Sequence, residues 1–214
     1  MPTRILQGIL LANSQPMDGH LAHTMTMLIH THREKLINAI VFFASNTNHC
    51  GKVKLFKLLY LLDFNHFRET GRSVTDMDYL AWKMGPVPSE LVQEWDEPEA
   101  DLSNAIDIVP TKVIDMVREQ VAPRVKFDDS QFTKRELRIM QQLATRFRDD
   151  YAMPMVNVTH QERGPWSKIW DEGRGNNTRI PYALAVPDDD PNREAILQAA
   201  QERDGILAAT RQTH

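Results

Sequence analysis

A chain of 214 residues, 42% apolar and 25% charged, is long enough to bury one sizeable core. Its 25 basic and 29 acidic residues leave a net charge of −4, too little asymmetry to build a dedicated nucleic-acid or membrane surface. No run of about 18 apolar residues offers a transmembrane helix, and a single cysteine, Cys50, excludes an intramolecular disulfide, which suits a reducing cytoplasm.

Residues 1–32 contain Gly8, Pro16 and Gly19 and no sustained period, which predicts a flexible N-terminal extension. Ile5, Leu6, Ile9, Leu10 and Leu11 follow Arg4 but are interrupted by Gln7 and Gly8, so the start reads as non-secretory. Methionines at 17, 25 and 27 leave the natural start open. Leu36, Ile37, Ile40, Val41 and Ala44 then recur at helical spacing and predict a helix from about Arg33 to Ser45. A second helix is predicted from about Lys52 to Glu69. Leu55, Leu58, Leu59, Leu62 and Phe67 line one stripe, and Val53, Phe56, Tyr60 and Phe64 widen it, so this helix belongs at the centre. Gly71 stands where a left-handed C-terminal cap belongs.

Alternation from Asp78 to Met84 predicts a short strand that Pro86 and Pro88 terminate, followed by a short helix through Trp95. Glu97 to Asp107 reads as an acidic, irregular surface excursion, Val109 to Val121 as a further helix, and Val125 to Phe127 as a β segment. Thr133 with Glu136 three residues on is a capping box opening an amphipathic helix. Pro154 suits the first turn of another helix, Glu162 to Arg179 reads as a loop carrying Trp166 and Trp170, and Asp188–Asp190 precedes a terminal helix from Arg193 to Ala209. The fold class is therefore mainly α with a small β element (α+β), arranged as a folded domain over 33–180 and a helical C-terminal extension over 181–214.

No catalytic or cofactor signature accompanies these elements: there is no phosphate loop, no dinucleotide fingerprint and no nucleophile motif. His20, His23, His30 and His32 lack paired cysteines, so no metal site is expected. Asp63 and His66 share a helical face and suit either acid–base work or a polar clamp on nearby backbone. Lys52, Lys54 and Lys57 read as a basic patch, too small for nucleic acid.

A specific combination of short motifs remains. Lys57-Leu58-Leu59-Tyr60, Asp63-x-x-His66, Gly71-Arg72, Tyr79-x-Ala81 and Gly85-Pro86-Val87-Pro88-Ser89 are followed by Thr159-His160-Gln161-Glu162 and Pro165-Trp166. Together they resemble the SocA/Panacea antitoxin domain family, which includes phage-associated GepA-like members. The resemblance spans roughly Arg33 to Trp170. It implies a cytoplasmic, non-enzymatic antitoxin that neutralises a toxin encoded by an adjacent gene, by direct contact and without a cofactor. Translation-inhibiting, alarmone-synthetase-like toxins are among the family's partners. The alternatives it carries are an adaptor delivering the toxin to ClpXP and, where a helix-turn-helix is added, a DNA-binding regulator. A second copy of the chain is a further candidate partner. On this reading Tyr79, Trp82, Arg163, Trp166 and Trp170 are candidate toxin anchors. Asp63, His66, Gly85, Pro86, Pro88, His160 and Pro165 are scaffold.

Overall fold

Two helices that turn back on one another start the fold: α1 (Gly19–Asn46) and α2 (Lys52–Thr70). The structure, a computed structural model, describes residues 19–113, 116–160 and 164–211. Helix α1 begins upstream of the expected Arg33 because no Gly or Pro interrupts residues 20–50. It therefore crosses the boundary drawn at residue 32. Residues 1–18 of the expected extension lie outside the described residues.

Helix α2 ends where expected. Gly71 adopts φ 70° and its N–H caps Phe67 O at 2.7 Å. A strand and a second strand follow, β1 (Tyr79–Trp82) and β2 (Gly85–Pro88), paired antiparallel with Tyr79 opposite Pro88 and Trp82 opposite Gly85. The sequence reading ended the β structure at these prolines; instead they form its second strand. The register explains why. Tyr79 and Ala81 turn their backbone outward, where Tyr79 O accepts from Ile180 and Ala81 bonds Thr178 and Asn177. Pro88 and Pro86, which stand opposite them, need no N–H.

After α3 (Ser89–Gln93), the acidic excursion contains α4 (Ala100–Ala105). Arg33 of α1 holds this region, bonding Glu94 at 2.7 and 2.9 Å and Asp101 twice at 2.8 Å. The expected helix over Val109–Val121 is instead a hairpin, β3 (Ile106–Val113) with β4 (Met116–Pro123). β-branched Ile106, Ile108, Val109, Thr111, Val113, Val117 and Val121 favour strands over the helical period read there. Residues 125–127 are not a strand.

Helix α5 (Lys134–Arg146) opens with the predicted capping box: Glu136 N–H donates to Thr133 Oγ1 at 3.3 Å, and Thr133 N–H to Glu136 Oε2 at 2.7 Å. The buried Glu136 also receives Lys35 Nζ of α1 at 2.7 Å. Pro154 lies in the first turn of α6 (Ala152–Thr159). The expected loop after residue 162 contains a helix, α7 (Pro165–Trp170), with Pro165 at its first position. The terminal helix, α8 (Arg193–Arg211), follows the aspartates as expected. The architecture of the described residues is thus mainly helical α+β: eight helices and two small antiparallel hairpins.

α2 is the axis. It packs against α1, α5, α6, α8, β2, β4 and the 3-10 turn Tyr182–Ala185. No described helix is long and apolar enough to cross a membrane.

Two glycine substitutions separate backbone demand from helix propensity. A Cβ on Gly71 would lie 2.5 Å from Ile196 O of α8 and adopt a left-handed φ. Gly71→Ala is expected to destabilise by about 1–3 kcal/mol. Gly205 has nothing within 4 Å of such a Cβ, and Gly205→Ala in α8 is expected to stabilise its helix by up to about 1 kcal/mol. Urea unfolding of both variants checks the opposite signs.

Candidate functional site

Lys54, Lys57, Tyr60, Asp63 and His66 recur every third residue of α2, and all five are buried. Three residues fall about 60° short of a full turn, so the series winds around the helix and meets a different neighbour at each step. This overturns the basic patch expected at Lys52, Lys54 and Lys57: two of its three lysines are interior. Lys54 Nζ donates to Asn48 O at 2.7 Å, Arg148 O at 3.2 Å and Asp150 O at 2.7 Å. Lys57 Nζ donates to Pro86 O at 2.8 Å.

Asp63 is fully buried and surrounded by donors. Its Oδ1 accepts from Val74 N–H at 2.7 Å and Thr75 N–H at 2.9 Å; its Oδ2 accepts from Thr75 Oγ1 at 2.5 Å and Tyr79 OH at 2.7 Å. Burial pushes the carboxyl above its usual range, and the four donors pull it back. His66 Nδ1 lies 2.7 Å from Arg72 O, so it carries the proton and donates. Burial lowers the His66 imidazole pKa. Asp63 and His66 therefore bind two segments of the following loop and do not bond each other.

His160, at the end of α6, is distant in role from both. Its ring stacks on Trp166 at 3.6 Å with the planes 1° apart, and Trp166 stacks on Trp170 at 5.5 Å. Burial, then the charge of Lys57, lowers the imidazole pKa. Gly85 has φ 98°, and a Cβ there would meet Lys57 Cε at 2.8 Å and Thr159 Oγ1 at 2.9 Å, so glycine is required.

The five expected anchors divide. Tyr79 is interior and bonded to Asp63. Trp166 is 5% exposed and its Nε1 donates to Trp82 O at 3.0 Å. Trp82 is 39% exposed, with neighbouring Met84 at 46%, and Trp170 is half-buried. Arg163 lies outside the described residues. Trp166 thus joins the aromatic row His160–Trp166–Trp170 to the backbone of Trp82, whose side chain is exposed together with that of Met84. Met84 was not anticipated, although it borders the Gly-Pro turn.

His32, weighed above for metal binding, pairs with Asp76 at 3.3 Å, and His49 beside Cys50 stacks on Tyr151 at 4.1 Å. Burial pushes the Cys50 thiol up to about 11. No group of three or more metal-ligating side chains is found among the described residues.

A family model described as antitoxin SocA-like, Panacea domain, matches residues 55–167, just over half of the 214 residues. It covers α2 from its first turn to the middle of α7, and so contains Lys57, Tyr60, Asp63, Tyr79, Gly85, His160 and Trp166. No curated protein matches the chain. No solved structure matches it.

Asp63→Asn would set an amide N–H pair against Thr75 and Tyr79, leaving buried donors unmatched. It is expected to destabilise by about 1–3 kcal/mol in urea unfolding, and Asp63→Ala by more. Burial alone lowers the Lys57 amine from 10.5 to about 7. Between those values the folded protein holds fewer protons than the unfolded chain. Stability therefore rises with pH there, by at most about 1.4 kcal/mol per unit. Lys57→Met is expected to flatten the rise in urea midpoint between about pH 7 and 8.5, below the ordinary thiol range. Parallel curves for wild type and variant would show that Lys57 stays charged.

Proposed function

The chain belongs to the SocA-like antitoxins with a Panacea domain, and from that membership we propose that it neutralises a cognate protein toxin by binding it directly. The toxin is encoded beside it and the encounter is cytoplasmic. The observation that carries this reading is the family match across α2 to α7. The geometry supports it, because Asp63 and His66 are closed by their own hydrogen bonds.

The contact runs through the corner formed by Trp82, Met84 and Trp170. Tryptophan and methionine exposed together are the residue types that anchor protein partners, and they contribute most when fully desolvated by the partner. Trp166 anchors the backbone of Trp82 from the interior through its indole N–H.

Co-expression with the adjacent gene, scored by growth and then by co-purification, is expected to show rescue with a stable complex. Rescue that needs a protease and leaves no complex would replace direct inhibition by ClpXP delivery. Trp82→Ala is expected to weaken toxin binding at least tenfold, about 1.4 kcal/mol or more. Its thermal midpoint should move little, because the ring is exposed. A Trp82→Ala chain that binds and rescues like wild type would move the interface elsewhere.

A further inference from the structure

The last turns of α2 and one face of α5 border a groove of about 400 Å³, with Arg68 and Glu69 on one side and Arg146 on the other. A second hollow shares Arg68 and Glu69 with it and continues past Arg135 to Asp190 and Ile196, beside α8. On α5, Arg135, Arg138, Gln142 and Arg146 recur every three or four residues, so they share one face. From the first to the last they span about 16 Å of helix.

Four arginines meet two carboxylates here, and both carboxylates are already engaged. Glu69 Oε2 lies 2.7 Å from the Arg138 guanidinium and 3.5 Å from that of Arg135. Asp190 Oδ1 accepts from Asn192 N–H at 2.9 Å. Arg68 and Arg146 are exposed and have no acidic partner among the described residues. Arg146 lies against the Phe147 ring, 4.9 Å from its centre. Elsewhere the chain pairs such groups: Arg33 with Glu94 and Asp101, Arg179 with Asp78, Arg203 with Asp76. The groove is thus a local basic surface on a chain of net charge −4.

Its lining selects the kind of partner. Ile139 and Leu143 form the apolar part and are only 3% and 5% exposed, so little apolar surface remains to be covered and recognition rests on charge. No aromatic side chain borders either hollow, so a single nucleic-acid strand would find no stacking platform. A duplex would bring its phosphates against the rest of an acidic chain. Carboxylates suit the place, because a guanidinium fork takes one with two parallel hydrogen bonds.

We propose that this groove docks an acidic segment of a partner protein, with carboxylates held by Arg68 of α2 and Arg146 of α5. Glu69 is the internal competitor for Arg135 and Arg138. The surface shares no residue with the Trp82 and Met84 contact and does not depend on the toxin assignment.

The test uses the full chain and a fluorescently labelled deca-glutamate peptide, read by anisotropy at low salt. Saturable binding is expected, lost as salt screens the charges. Arg68→Glu with Arg146→Glu, verified as folded by circular dichroism, should weaken it at least tenfold. Glu69→Gln should tighten it severalfold, and Trp82→Ala should leave it unchanged. No saturable binding overturns the groove. So does an equal loss in Lys112→Glu with Lys126→Glu, which makes the same change in net charge at exposed positions elsewhere. Weaker binding by Glu69→Gln overturns its role as competitor, and loss in Trp82→Ala moves the docking to that corner. Tighter binding of a ten-nucleotide thymidylate strand than of the peptide overturns the choice of a protein partner.

Discussion

Asp63 lies inside the protein within reach of four donors, all drawn from residues 74–79. A buried carboxylate without such partners costs several kcal/mol, more than most single contacts contribute. The chain leaving α2 must therefore fold back over that helix before β1 begins. Gly71 makes the reversal possible, through its left-handed backbone and the close approach of α8. Once Tyr79 reaches Asp63, the position of β1 is set, and the pairing of Leu80 with Val87 sets β2. Lys57 then receives Pro86 O, so one helix aligns both strands from within. Direct burial of Leu55, Leu58, Leu59 and Leu62 supplies the larger apolar driving force. The polar series decides which arrangement that force collapses into.

What the sequence revealed of this depended on how local the signal was. The capping box at Thr133 and Glu136, the cap at Gly71 and the apolar circumference of α2 are encoded within one or two turns, and each was legible. The β3–β4 hairpin was not. Val109, Val113, Val117 and Val121 recur every four residues, which imitates a helical face, and Ile114-Asp115 between the strands lacks the usual Gly or Asn of a tight hairpin. The second strand at Gly85–Pro88 was hidden for a different reason. Two prolines argue against a strand unless the outward-facing positions are known, and those depend on residues 177–180, about ninety positions away.

The buried lysines were the larger obscurity in the site. Three basic residues in six look like a solvated face. Their spacing of three, continued through Tyr60, Asp63 and His66, was the available signal that the series belongs to the interior. Reading it needs the surroundings, because a Lys is tolerated inside only where carbonyls wait for it, and those of Asn48, Arg148 and Asp150 come from both sides of the chain. The same limit applies to the tryptophans. Sequence identifies them as possible anchors but not which of Trp82, Trp166 and Trp170 faces outward.

Of the motif residues read in the sequence, Lys57, Tyr60, Asp63, Tyr79, Gly85, Pro86 and Trp166 are all interior and lie where α2, the first hairpin and α7 interlock. A motif of that kind specifies a scaffold and leaves the surface free to differ. This explains how membership in an antitoxin family can be read from short motifs while the identity of the toxin cannot. On the proposed toxin-binding reading, partner choice falls to exposed positions such as Trp82 and Met84.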